Sequence, residues 1–202
     1  MLSPGETAES AGPAAERFSA RQLELLDGLE RIVLEDRFGE LGVGEIARRL
    51  SCSRSTLYAI ARSKDELFDV VVERVLDRIA TAARDACGRQ TNPTDRLEAY
   101  LAGALDAIRA IDGPLIAEMQ RHAGARTRLA AFQRTVIGEI EALIRSGVDA
   151  GDFHPVNTAL AAELLDAVVS RIRQRHVLKE SGLSASDALA DAFRVITRGL
   201  LK

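Results

Sequence analysis

From Ala20 to the C-terminus, apolar residues recur every third or fourth position, and no stretch alternates with period two long enough to make a strand. That single pattern restricts the chain to helices packed on helices. Breaks rich in Gly, Pro, Ser and Asn cut the pattern into segments. The segments predict helices over residues 20–38, 43–50, 54–61, 64–87, 94–111, 115–122, 125–150 and 157–178. A last helix starts after a Ser184 or Ser186 cap. Ser19, Ser53, Ser63, Thr94 and Asn157 read as the other N-caps, and Gly39 and Gly151 as stops. The expected class is all-α with about nine helices. Composition agrees: Trp is absent and aromatics make up 4% of 202 residues, so Leu, Ile, Val and Ala must build the core.

Four regions follow. Residues 1–18, rich in Ala, Gly, Pro, Ser and Glu, read as a disordered tail. Residues 19–63 form a compact N-terminal unit, and residues 64–88 a long linking helix. Gly88 and Asn92–Pro93 mark a boundary before a C-terminal domain over 93–202.

The stretch VGEIARRLSCSRSTLYAI, residues 43–60, carries the functional information. Ile46, Leu50, Leu57 and Ile60 face inward at helical spacing, and Ala47 is small where two helices must approach. Ser51, Cys52 and Ser53 form the turn between them. Two short helices so joined make a helix-turn-helix, whose second helix enters the major groove of DNA. Residues 42–64 hold five basic groups and one acidic one, a net of four positive charges. The whole chain is at −3, which leaves −7 for the remainder. A basic patch on an acidic protein fits local DNA binding and excludes a protein that coats nucleic acid.

The candidate DNA contacts are Gly42, Ser53, Arg54, Ser55, Thr56, Tyr58 and Lys64. Arg54 suits guanine or a phosphate. Ser55 and Thr56 sit where free helix N–H groups favour phosphate. Tyr58 offers a hydroxyl to phosphate and a ring to a thymine methyl, and Lys64 reads as a backbone clamp. The bland alternative is a cap and a surface helix; for Arg48 and Arg49 it is a solvated face.

These residues resemble the TetR family of repressors, through 45-EIARRL-50, 53-SRSTLY-58 and 64-KDEL-67. The resemblance implies a DNA-binding homodimer with a helical C-terminal domain that takes a small-molecule effector. Three positions depart from the family's habit. Ser51 stands where Gly is usual, so the turn must form without free access to positive φ. Gly42 stands where a Thr usually caps the first helix of the motif. Ala61 replaces a Phe, which leaves a smaller local core or one refilled by Phe38 or Phe68.

In the C-terminal domain, the expected dimer stripes are Leu160, Leu164, Val168 and Ile172 on one helix and Leu189, Phe193, Ile196 and Leu200 on the last. The expected ligand-binding residues are Leu97, Tyr100, Leu101, Leu105, Met119, His122, Phe132, Val136 and Arg171. Ile108, Leu115, Ile140 and Gln120 are nearby candidates. Mostly aliphatic walls predict an apolar or amphipathic effector; a closed core would instead mean a regulator with none.

His122, His154 and His176 lack metal-ligand spacing, and no nucleophile–base pattern or phosphate loop appears, so no metal, cofactor or enzyme activity is expected. Cys52 and Cys87 form no CxxC pair, and a redox role is the minor reading beside a core one. A reducing cytoplasm is the expected compartment, with double-stranded operator DNA, a second copy of the chain and an unknown effector as partners. No signal peptide or membrane span is expected.

Overall fold

The computed structural model describes residues 17–36, 38–109, 114–173 and 182–201. Among them are nine α-helices: α1 (Ala20–Glu35), α2 (Val43–Arg49), α3 (Arg54–Tyr58), α4 (Lys64–Gly88), α5 (Pro93–Arg109), α6 (Pro114–Met119), α7 (Ala123–Ala150), α8 (Thr158–Arg173) and α9 (Ala185–Leu200). A 3-10 turn, Phe38–Glu40, joins α1 to α2. The only pairing of β type among the described residues is an isolated bridge between Phe153 and Leu201. The all-α expectation therefore holds.

Side-chain caps set most of the helix starts. Ser19 and Gln22 form a reciprocal capping box, and Ser53, Ser63 and Ser184 each accept a backbone N–H from the residue three positions on. Asn92, not Thr94, caps α5: its Oδ1 accepts from the N–H groups of Thr94 and Asp95 at 2.7 and 3.2 Å. Pro93 then occupies the first helical position, where its missing donor costs nothing. Gly151 closes α7 in the left-handed conformation at φ 84°.

Some boundaries differ from the sequence reading. α1 stops at Glu35, four residues before Gly39, because the chain turns into the 3-10 segment. α3 ends at Tyr58 and α6 at Met119, each shorter than expected. Arg17 and Phe18, read with the tail, are docked: Arg17 pairs with Glu73 at 2.8 Å and Phe18 packs on the core. His176 and the expected continuation of α8 lie outside the described residues.

The turn between α2 and α3 resolves the Ser51 question directly. Ser51 adopts φ 49°, the left-handed region that glycine enters freely. The turn takes that conformation and accepts the strain of a β-carbon there. At Ala61 the core is refilled rather than shrunken: Phe38 and Phe68 are both fully buried and stack with centroids 5.3 Å apart, and Ala61 is buried in the same cluster.

α4 organises the molecule. Its 25 residues run past two cores. Leu67, Phe68, Val71, Val72 and Val75 pack with Leu26, Leu29, Ile46 and Leu57 of α1–α3. Further along, Ala83 and Cys87 pack with Leu97, Leu101, Ile140 and Ile144 of α5 and α7. A buried carboxylate, Glu30 on α1, is neutralised by Arg78 on α4. Gly103 lets α5 approach closely: a β-carbon there would lie 2.8 Å from the Ala82 carbonyl oxygen. One helix thus fixes the N-terminal unit to the C-terminal domain.

Candidate nucleic-acid interface and internal cavity

Leu57, fully buried, and Ile46 beneath it hold α3 across α2. The opposite face of α3 is exposed. Tyr58 is 47% accessible, and Arg54 and Ser55 are exposed. Ser53 Oγ lies 2.6 Å from Ser55 Oγ and 2.8 Å from Thr56 Oγ1, so three hydroxyls gather at the start of this helix. The Arg54 guanidinium lies back over Gly44 of α2, where a β-carbon would come within 2.5 Å of it. Nothing in the sequence pattern alone singles out Gly44 as the seat of Arg54.

Two further candidate residues, Lys64 and Gly42, lie outside α3. The Lys64 ammonium donates to the Gly39 carbonyl at 2.8 Å and lies over the Phe38 ring at 5.1 Å. An ammonium has three donors, so two remain for a phosphate. Gly42 supplies no side-chain cap to α2 and has open space where a β-carbon would stand.

Arg48 and Arg49 both donate to Glu45, and Arg49 also to Asp36. These bonds hold the Glu45 carboxyl down at about 2. Part of the basic patch is therefore tied within α2.

Behind this surface lies a cavity of about 160 Å³ between α4, α5, α6, α7, α8 and α9. Its walls are aliphatic and aromatic. Of the residues expected there, Tyr100, Leu101, Met119, Phe132 and Val136 line it, as do Ile108 and Ile140. Leu97 and Leu105 do not: Leu97 turns into the core beside Ile144, and Leu105 packs with Ile172 and Leu189. Leu115 belongs to the N-terminal core. Gln120 and Arg171 are exposed.

His122 also lies away from the cavity. Its ring packs on Phe68 at 4.6 Å, and Nε2 and Nδ1 face Glu118 and Asp65 at 3.1 and 3.6 Å. The helix break before Ala123 turns it toward α4. Glu118, buried beside it, sits against Gly39, whereas its neighbour Met119 reaches the cavity. α6 thus touches both halves of the molecule.

Sequence reasoning missed two kinds of wall residue. Ile79, Ala80 and Ala83 come from α4, and Gln133 and Asp166 are polar. The Gln133 amide donates to Asp166 and, at 3.1 Å, to Ser170 Oγ. The Tyr100 hydroxyl donates to Glu139 at 2.6 Å, and Arg84 donates to the other oxygen of that carboxylate. This ties α4, α5 and α7 together. Burial and the Glu139 charge push the Tyr100 phenol well above its ordinary range, so it stays a donor.

On the outer face, Leu160 and Leu164 of α8 are 59% and 58% accessible, and Val195 of α9 is 71% accessible. Val168, Phe193 and Ile196 are half-buried, whereas Ile172, Leu189 and Leu200 are buried within their own chain. Those three pack inside their own chain, and Val195, outside the expected stripes, is exposed. No group of His, Cys, Asp and Glu among the described residues fits a metal ion. No helix of the described residues is long and apolar enough to cross a membrane.

No protein-family model matches the sequence. An HTH-type transcriptional regulator of Mycobacterium tuberculosis is 31% identical over 104 residues, and the match spans about half of each chain. Among solved structures, a TetR transcription regulator from Haloarcula marismortui superposes with a TM-score of 0.74 at 20% identity, covering 92% of this chain and 100% of that one. A transcriptional regulator from Saccharomonospora viridis, solved in complex with choline, gives 0.72 at 14% identity, covering 90% and 98%. The motif, the helix order and these likenesses together give the chain the fold of the TetR family of transcriptional regulators.

Proposed function

We propose that the chain is a ligand-responsive transcriptional repressor that binds palindromic operator DNA as a homodimer. A small apolar or amphipathic molecule in the cavity releases it. The observation that carries this reading is the double duty of α4: the same helix backs the helix-turn-helix through Leu67–Val75 and walls the cavity through Ile79, Ala80 and Ala83. A molecule that repositions those three residues tilts the seat of α3. Such coupling between sites is typically about 1–3 kcal/mol.

Arg54, Ser55, Thr56 and Tyr58 supply the groove-facing contacts, with Ser53 ordering the helix start and Lys64 and Gly42 flanking them on the DNA backbone. Leu160, Leu164 and Val195 mark the surface through which two copies join. Two-fold pairing sets the α3 helices one DNA turn apart, roughly 34–36 Å. A reducing cytoplasm suits a DNA-binding chain whose two cysteines, Cys52 and Cys87, are unpaired. A regulator with no effector is the second reading, and a closed core would have favoured it; the apolar cavity supports the first.

A gel shift against genomic promoter fragments tests the DNA half. Wild type is expected to shift a discrete fragment at low salt. Arg54→Ala and Tyr58→Ala are expected to weaken binding by roughly 1–3 kcal/mol each. Variants that bind like wild type would remove α3 from the interface.

A further inference from the structure

Among the described residues, three side chains of the cavity wall carry nitrogen or oxygen: Tyr100, Gln133 and Asp166. Each is already held by a protein partner. The Tyr100 hydroxyl donates to Glu139 at 2.6 Å, and the Gln133 amide donates to Asp166 and, at 3.1 Å, to Ser170 Oγ. Gln133 and Asp166 are only half-buried, and the surface that the wall turns to the cavity is almost wholly apolar. Aliphatic side chains and the rings of Phe132 and Phe193 supply it. No lysine, arginine or histidine of the described residues lines it.

Burying a hydrogen-bonding head without a partner costs free energy, and burying a charge without one costs more. A hydroxyl, amine or carboxylate on a guest would lose its water here and meet methyl, methylene and ring carbons. The wall amide and the wall carboxylate are bonded to each other. A guest with no such head avoids this cost, and gains by leaving water in proportion to its apolar area. The volume sets its size. A cavity of about 150 Å³ lined by Leu, Ile and Phe stays dry and takes benzene. This cavity measures about 160 Å³. The unbranched Met119 side chain at the wall can change rotamer to fit an irregular guest.

We infer that the cavity is a receptor for a small hydrocarbon-like molecule, about the size of one aromatic ring, that carries no charged or hydrogen-bonding head. The inference rests on the effector reading above and narrows it from apolar or amphipathic molecules to headless apolar ones. The bonds of Tyr100, Gln133 and Asp166 tie the polar groups of α5, α7 and α8 to one another instead of offering them to a guest.

Isothermal titration of the full chain with toluene, phenol and benzylamine at neutral pH tests it. Toluene and phenol match in size and differ by a methyl against a hydroxyl, and benzylamine carries a cationic head. Toluene is expected to bind at least about tenfold more tightly than phenol, the equivalent of about 1.4 kcal/mol, with benzylamine weakest. Ala104→Leu and Val136→Phe each fill the cavity from its wall. Each is expected to weaken toluene binding at least about tenfold, with thermal melting to check that the variant folds. The wild-type order of affinities judges the class even where a variant fails to fold.

Phenol or benzylamine binding as tightly as toluene would overturn the inference and leave the effector reading standing. So would toluene binding that is unchanged in folded Ala104→Leu and Val136→Phe, because the guest would then lie elsewhere. No binding of any of the three to wild type overturns it as well. A gel shift with saturating toluene judges the effector reading separately. If toluene binds in the expected order but leaves the operator complex intact, this inference is supported and release by the cavity's guest is refuted.

Discussion

Replacing Ser51 by glycine isolates the cost of the turn that sets the angle between α2 and α3. Ser51 holds φ 49° and is exposed, so its side chain contributes little packing. A residue with a β-carbon in this region is strained by about 1–2 kcal/mol. Glycine relieves that strain but makes the unfolded chain looser, at a cost of roughly 0.5–1 kcal/mol. The balance is a stabilisation of about 0.5–1 kcal/mol, which in a chain of this length raises Tm by roughly 1–4 °C. Ser51→Ala keeps the β-carbon and should melt like wild type. Ser51→Val adds branching where φ is positive and should melt lower. Circular-dichroism melts of the four proteins, with urea unfolding to convert midpoints to free energies, measure the series. A glycine variant that melts at or below wild type, or a valine variant that matches it, would refute the claim that the turn is strained at this residue.

Three further outcomes follow from the same geometry. Gly44→Ala should leave Tm within a degree or so, because the flexible end of Arg54 can give way, but it displaces that guanidinium and should weaken operator binding by roughly 1 kcal/mol in fluorescence anisotropy. The Glu45 carboxyl should titrate near pH 2 by NMR rather than at its ordinary 4.5. Its folded-state pKa is depressed, so the stabilisation it gives is complete above about pH 4.5 and fades as pH falls towards 2; Arg48→Ala with Arg49→Ala should return the midpoint towards 4.5. Phe153 is fully buried over Gly147, and Phe153→Ala should cost about 3–5 kcal/mol in urea unfolding, whereas a loss under 1 kcal/mol would deny it a place in the core.

The motif was legible in the sequence because its determinants are local. Ala47, Leu57 and the Ser53 cap act within one or two helical turns, and the folded chain uses each as its spacing implies. The cavity was legible only in part, because its walls come from six helices. Tyr100, Leu101, Met119, Phe132 and Val136 sit on apolar stripes that do reach it, but Leu97 and Leu105 lie on the same helix, α5, and turn to other neighbours. Periodicity marks a buried face without saying what faces it.

Gln133 and Asp166 carry no signal in the apolar periodicity, yet they meet across α7 and α8 beside the cavity. The sequence reads residues 64–88 as a linking helix, and only the packing of α4 against two separate cores reveals its two roles. Ser51 is the reverse case. The residue type argued against positive φ, and the need to cross two short helices in three residues overrode it.

Selection of bound duplexes from a random pool by the full chain tests the central claim most directly. The account predicts enrichment of a two-fold symmetric site whose half-sites are centred about 10 base pairs, or a multiple of that, apart, with the enrichment lost in Arg54→Ala. A pool that shows no enrichment over input, or whose enriched sequence the Arg54→Ala and Tyr58→Ala variants select equally well, would contradict it.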